Sequence, residues 1–440
     1  MHEANLKIIA RLKRFVTATS SHKELLQRFS VSDQYFVRDR KLPFSKLVLF
    51  IAKLCKKSLS IELEKFFEET GGSLECSVSA FAQQRVKLKP HFFSCWNNIL
   101  QNSFYLYYGR AVKRWKGYRI VAGDGSAISL INTPPLNHYF GGQSNQHNDF
   151  VQAKTFYHYD VLNELILLAK IKPYRCGELN IAYRAIEETQ EDMVMIYDRN
   201  FSNYKMVALH AWQKKERKFV IRAKETQNMT KAFIQSGKTS SVVDMQPTPS
   251  AIAGLKKSGF EITKDTLVRV RLVRVDLPNS TEVLITNLWE EQGHPAEEFK
   301  DLYFMRWGIE TNISIQKNIL QLESFSGLSV VSVLQDFYAT VMMTNLHSIL
   351  IKAAQQTVTS TATKRKYPVK INRNKSFGKL KLNLVHLFVH DDPQLILQKL
   401  HDHFIRDILP VRKGRSFKRI RKNIQSKSKH KTFTNFKPAY

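Results

Sequence analysis

Through the first 115 residues, apolar positions recur every three or four residues. The segments 6–15, 22–29, 45–55 and 61–67 have this spacing, which is the period of a helix with one buried face. Ser79 is placed to cap a further helix carrying Ala80, Phe81, Val86 and Leu88, with Pro90 as its stop. Beyond Lys116 the period shortens. Segments 118–122, 154–159, 166–172 and 193–197 are short runs rich in Ile, Val, Tyr and Phe between turn residues, and they read as strands, while 179–189 reads as a helix before the last of them. Three strands, a helix and another strand suit a mixed α/β sheet. A second strand-rich block follows, with runs at 219–222, 242–245, 267–275 and 282–286 expected to pair among themselves. Helical spacing returns over 295–322 and 331–354, and no internal repeat is visible.

Charge narrows the picture. The 440 residues carry 68 Lys and Arg against 38 Asp and Glu, a formal +30, which points to nucleic acid or an anionic membrane surface as partner. Membrane spanning fails on length: the apolar runs at 47–55 and 165–171 are short and contain Lys53 and Lys170. Charges through residues 1–15 interrupt what would be a signal core, and Cys55, Cys76, Cys95 and Cys176 form no C-x-x-C pair, so a reducing cytosol is expected. Residues 364–440 hold 21 Lys and Arg against 4 Asp. From Val411 onward the basic residues alternate with Phe417, Ile420, Phe433 and Phe436, a mixture suited to a phosphate backbone. Arg85, Lys87 and Lys89 make the helix after Ser79 a candidate for DNA docking, with a plain solvated face as the alternative. Histidine offers no rival metal centre, since His386 and His390 lack the H-E-x-x-H pattern. No Gly-rich phosphate loop is present.

Three acids stand out by position. Asp124 is read as ending a strand in RIVAGDGS, and Asp198 as ending one in MVMIYDRNF; Glu310 lies inside the expected helix DLYFMRWGIETNISIQKNIL. Carboxylates at strand ends and on a packed helix can converge on hard divalent cations such as Mg²⁺, and a pair of such ions supports phosphodiester chemistry. Tyr303, Arg306, Glu310 and Lys317 fall within a stripe ~60° wide if the helix is regular. Leu302, Met305, Ile309, Ile313 and Leu320 lie on a neighbouring apolar stripe. Cations beside a metal-binding glutamate make sense if phosphate fills the gap, whereas Arg306 and Glu310 at i, i+4 also suit an ordinary ion pair.

The spacing Y-x2-R-x3-E-x6-K, formed by Tyr303, Arg306, Glu310 and Lys317, resembles the signature of the insertion-sequence-4 family of DDE transposases. GDGS around Asp124, YDRNF around Asp198, TNL at 286–288 and LESFSG at 322–327 are similar to the family's other blocks. The resemblance implies that Asp124, Asp198 and Glu310 form a metal-binding triad, using two Mg²⁺ ions with Mn²⁺ as a substitute. Tyr303, Arg306 and Lys317 would meet DNA phosphates near the transposon end; Trp289 would stack a flipped base, with a place in the core as its alternative, and Arg222 would face DNA, with a structural ion pair as its alternative. It further implies cut-and-paste cleavage and strand transfer through a hairpin, on terminal inverted repeats and target DNA, by a homodimeric synaptic complex in the bacterial cytoplasm at the nucleoid. A nuclease that does not join strands, and an inactive DNA-binding relative, are the alternatives. One departure is Asn200, where the second block often carries glycine; if that position needs positive φ, Asn is the next most tolerated residue.

The expected fold class is α/β, a ribonuclease-H-like catalytic core with an inserted all-β block, an α-helical N-terminal domain and a basic helical C-terminal region. The expected bounds are 1–115 for the helical DNA-binding domain, 116–216 and 295–360 for the two parts of the core, 217–294 for the insertion and 361–440 for the basic region.

Overall fold

A computed structural model describes residues 1–38, 40–72, 76–144, 149–278, 280–362 and 365–412. The basic stretch beyond Arg412, read above as a phosphate clamp, lies outside the described residues.

The N-terminal part consists of α1 (His2–Ser21), α2 (Lys23–Phe29), α3 (Phe44–Ala52), α4 (Leu59–Glu69), α5 (Val78–Arg85) and α6 (His91–Tyr108). On α1 the spacing of Ile8, Ile9, Leu12 and Val16 gives one apolar face, which joins Phe92, Trp96 and Leu100 of α6 in a single core. That core also takes in Leu346, Ile349 and Leu350 from far along the chain, together with Leu380 and Leu400.

The helix expected from Ser79 is capped by Ser77, whose hydroxyl accepts from the Ala80 amide at 3.2 Å, and it ends at Arg85. Arg85 does not face solvent. Its guanidinium is buried against the C-terminal half of the chain, donating to Asp336 Oδ1, Gln335 Oε1 and Ser326 Oγ, each at 2.9 Å. The docking role considered for this helix is therefore corrected at Arg85: a side chain enclosed by these partners cannot reach a phosphate backbone.

The centre is one mixed sheet. Its strands are β1 (Arg119–Ser129), β2 (Gly142–Ser144), β3 (Asp149–Asp160), β4 (Leu165–Pro173), β5 (Met193–Tyr197), β6 (Lys218–Arg222), β7 (Ser240–Met245), β8 (Val268–Leu277) and β9 (Ser280–Thr286). The order is β2-β3-β1-β5-β6-β9-β8-β7, with β4 also on β3. β1 runs parallel to β5 and β5 parallel to β6, whereas the β1–β3, β3–β4, β6–β9, β9–β8 and β8–β7 pairs are antiparallel. Side chains alternate across the sheet: Met193, Met195 and Tyr197 of β5 meet one core, Val194 and Ile196 another.

Connecting helices cover both faces. They are α7 (Pro134–Phe140), α8 (Glu178–Ala185), α9 (Tyr204–Ala211), α10 (Asn228–Gln235), α11 (Pro249–Lys256), α12 (Phe299–Phe304), α13 (Trp307–Ser314), α14 (Val330–Thr361), α15 (Arg373–Val389) and α16 (Pro393–Arg406). Helices α8, α9 and α11 bury their apolar residues on one side, α12 and α13 on the other. Among the described residues no helix is long and apolar enough to cross a membrane.

Three expectations change. Segment 219–222 pairs with β9 as anticipated but also lies parallel to β5, making it an inner strand of the central sheet. The block expected to be all-β includes α10 and α11, whose short amphipathic runs the Pro and Gly residues around them had masked. The helix expected over 295–322 is interrupted: α12 stops at Phe304, α13 starts at Trp307, and residues 315–319 form a wider π turn.

Candidate active site

Asp124 sits in the middle of β1, paired with Tyr157 of β3, rather than at a strand end. What exposes it is the shorter neighbour. Pairing of β1 with β5 stops at Gly123 opposite Tyr197, so Asp124 and Asp198 leave the last parallel rung side by side. Gly123 is required by that closeness, because a Cβ there would stand 2.3 Å from Tyr197 Cε1. Asp198 caps the 3₁₀ turn Arg199–Phe201, its Oδ1 accepting from the Asn200 amide at 2.8 Å. Asp124 Oδ1 accepts from the Gly125 amide at 2.8 Å. Burial pushes the Asp124 carboxyl up to about 7; the Gly125 amide opposes the rise, Glu178 and then Asp198 add to it, and Arg306 offsets part.

Glu310 arrives from α13 but is engaged. Arg306 Nη1 donates to Glu310 Oε1 at 2.8 Å, the i, i+4 pair left open by the spacing alone. The break before Trp307 changes the expected stripe. Tyr303 and Arg306 turn inward, with only 7% and 6% of their surface exposed, and the Arg306 guanidinium lies 4.8 Å from the Trp307 ring centre. Among the described residues the Tyr303 hydroxyl and Arg306 Nε have no hydrogen-bond partner. Burial, above all, pushes the Tyr303 hydroxyl up to about 12. Lys317, in the π turn, donates to the Ala127 carbonyl at 2.5 Å and lies 3.8 Å from Glu323, clamping that turn onto β1. Electrostatically, Asp124, Asp198, Arg306, Tyr303 and, through Arg306, Glu310 thus belong to one neighbourhood.

The remaining sequence candidates lie farther along the sheet. Arg222 forms an ion pair with Glu282 at 2.8 Å, between β6 and β9. Trp289 is half-buried and immediately precedes the 3₁₀ turn Glu290–Gln292. Sequence reasoning missed Glu178, which opens α8 and raises Asp124 more than Asp198 does. No motif singles out this glutamate.

Among the described residues, no three His, Cys, Asp or Glu side chains stand together as a finished metal site. The donor set nevertheless suits a hard cation: Asp124 and Asp198 offer carboxylate oxygens, and the charges of Glu178 and Asp198 add to the rise that burial gives Asp124.

Residues 115–346 match the family model described as the transposase DDE domain. The chain belongs to the DDE transposase family. The resemblance carried by the Tyr303, Arg306, Glu310 and Lys317 spacing is borne out at that level. A curated relative is the transposase InsG of insertion sequence element IS4 from Escherichia coli strain K12, 24% identical over 211 residues, which are 47% of this chain and 46% of that protein. The chain therefore aligns with somewhat less than half the length of this relative. A solved piggyBac transposase synaptic complex with hairpin DNA overlaps 94% of this chain and 84% of that one at 12% identity, with a TM-score of 0.41. DDE transposases generally use divalent metal ions.

Proposed function

We propose that this protein is an insertion-sequence DNA transposase that cleaves DNA at transposon ends and transfers the freed strand to a target. The observation that carries the reading is the placing of Asp124 and Asp198 side by side, each one residue past the last parallel rung Gly123–Tyr197 between β1 and β5, inside the stretch that matches the transposase domain. The strand order β4-β3-β1-β5-β6, with two antiparallel and then two parallel neighbours, supports a ribonuclease-H-like core. In this reading 1–115 is a helical DNA-binding domain and 361–440 a basic region, while 116–216 and 295–360 make the core together with β6, so that the insertion expected over 217–294 begins only after Arg222.

Asp124, Asp198 and Glu310 would hold Mg²⁺, as two ions, with Mn²⁺ as a substitute. Bound there, divalent cations would activate the attacking oxygen and stabilise the leaving one at a scissile phosphate. The protein's own part is positional. Asp124 and Asp198 are fixed by the Gly125 and Asn200 amides, and Glu310 becomes available when Arg306 exchanges it for phosphate. Tyr303 and Lys317 would flank that phosphate; Arg222 and Trp289 would contact the DNA end, the tryptophan by stacking on a base. Terminal inverted repeats and target DNA are the partners, joined by a homodimer in a synaptic complex at the bacterial nucleoid. Hairpin formation would accompany excision.

Labelled end duplexes incubated with Mg²⁺ or Mn²⁺ are expected to give nicks, hairpins and products joined to target. Released fragments with no joined species would reduce the reading to a nuclease; intact duplex throughout would leave a DNA-binding protein. The acid pair adds a pH signature. A cation must displace the proton that Asp124 retains below about 7, so Mg²⁺ affinity should weaken roughly tenfold per pH unit below that point and level off above it. Calorimetric titrations at pH 6 and pH 8 measure this, and equal affinities would mean that Asp124 holds no proton for the cation to displace at pH 6.

A further inference from the structure

Glu178 opens α8 directly after Gly177, beside the point where β1 outruns β5. Its carboxylate lies against Gly125: a Cβ built there would stand 2.3 Å from Glu178 Oε1 and 2.7 Å from the Thr155 carbonyl. The missing side chain makes the space that the carboxylate uses. The other oxygen, Oε2, accepts from Asn200 Nδ2 at 3.1 Å, while the Asn200 backbone amide donates to Asp198 Oδ1 at 2.8 Å. A single residue therefore ties Glu178 to Asp198. Asn200 is not among the residues of positive φ, so the backbone does not call for glycine there, and the asparagine side chain has its own use in this bond.

A second observation points to a ligand at the same place. Tyr303 and Arg306 are each more than nine-tenths buried, yet the Tyr303 hydroxyl and Arg306 Nε have no partner among the described residues. The Arg306 charge is felt by Asp124, and the Asp198 charge by Tyr303. Unsatisfied donors of this kind suit an oxyanion such as a DNA phosphate. A phosphate beside several carboxylates needs a cation to offset their repulsion. Glu310 already has a cationic partner in Arg306, whereas Asp124, Asp198 and Glu178 bear on one another and, among the described residues, are held only by amides and the Asn200 side chain.

We propose that Glu178 is a fourth metal-holding carboxylate, which with Asp124 and Asp198 seats a divalent cation while Glu310 is still paired with Arg306, and that Asn200 is its positioning residue. The proposal rests on the reading of Asp124 and Asp198 as cation ligands. No three of the acids among the described residues already surround one point, so closure on the cation takes small side-chain adjustments while Asn200 keeps Glu178 beside Asp198.

The test is Mn²⁺ binding to the full chain without DNA, followed by the paramagnetic resonance of free Mn²⁺. Glu178→Gln should weaken binding by roughly 10- to 100-fold, Asp124→Asn by at least as much, and Glu310→Gln by less than Glu178→Gln. Glu178→Asp should recover part of the loss. Asn200→Gly, which keeps every carboxylate and removes only the tether, should weaken binding by about threefold or more. Wild-type affinity in Glu178→Gln alongside a loss in Asp124→Asn would overturn the Glu178 assignment and leave the metal reading standing. Wild-type affinity in Asp124→Asn would overturn the reading beneath it as well. A larger loss in Glu310→Gln than in Glu178→Gln would overturn the order of engagement. Circular-dichroism melts without metal check folding; if Glu178→Gln does not fold, unchanged affinity in both Glu178→Asp and Asn200→Gly overturns the proposal.

Discussion

Asp124→Asn should reduce strand cleavage by at least about a hundredfold while end binding stays within a few fold, because removing one ligand forfeits several kcal/mol of charge stabilisation in the transition state. The substitution keeps the shape of the side chain and its place beside Gly125, so the local bond from the Gly125 amide can persist. Stability should move the other way. The folded-state value for Asp124 is raised from 3.8 to about 7, so its contribution favours the fold below 3.8 and is lost as pH rises towards 7. Above that point a poorly solvated charge opposes folding, and asparagine removes it. At pH 8 without divalent cations, the variant should therefore melt at or above the wild-type temperature. Paired cleavage and binding assays on labelled end duplexes, with melts on the same samples, check both halves. Wild-type cleavage would exclude Asp124 from the reaction. Loss of cleavage together with a lower melting temperature would mean that the fold, rather than the chemistry, had been damaged.

Arg85→Ala should cost about 3–5 kcal/mol of stability, the usual effect of stranding one member of a buried ion pair. Arg85 and Asp336 keep only 4% and 8% of their side-chain surface, and the pair closes at 2.9 Å. Truncation would leave Asp336 with its Ser326 contacts but without its cation, and would strip a partner from Gln335. The pH dependence has a definite sign. Despite burial, Arg85, foremost among the opposing influences, holds the Asp336 carboxyl below its usual 3.8. The benefit is present above 3.8 and lost as pH falls through the lower folded value, so the gap between wild type and variant should shrink in acid. Urea unfolding at pH 7 and near pH 3 measures it. If stability is unchanged and DNA affinity drops instead, Arg85 belongs to a DNA surface after all.

The two predictions concern residues of very different legibility. Asp124 stood out because a strand-forming run precedes GDGS, and the same logic found Asp198 after MVMIY. A strand end does not explain the exposure of Asp124, since β1 continues to Ser129 and it is the early end of β5 that frees the carboxylate. Arg85 gave no such signal: it is one basic residue in a basic stretch, and its partners lie some 250 positions away. Glu178 was hidden for a similar reason. Its position near the acids depends on how α8 returns to the sheet and on the bare backbone at Gly125.

The chain alone determined the helical and strand periods, the three acids with their flanking blocks, the transposase kinship and the large positive charge. Those properties are written in short windows, where side-chain spacing directly dictates which face of an element is apolar. Tertiary structure alone decided that β6 lies parallel to β5, that the helix around Arg306 breaks and turns Arg306 and Tyr303 inward, that Glu310 is held by Arg306, and that Glu178 joins the acids. Each of these outcomes depends on a partner contributed by another element, where packing and the need to satisfy buried charge override the local pattern.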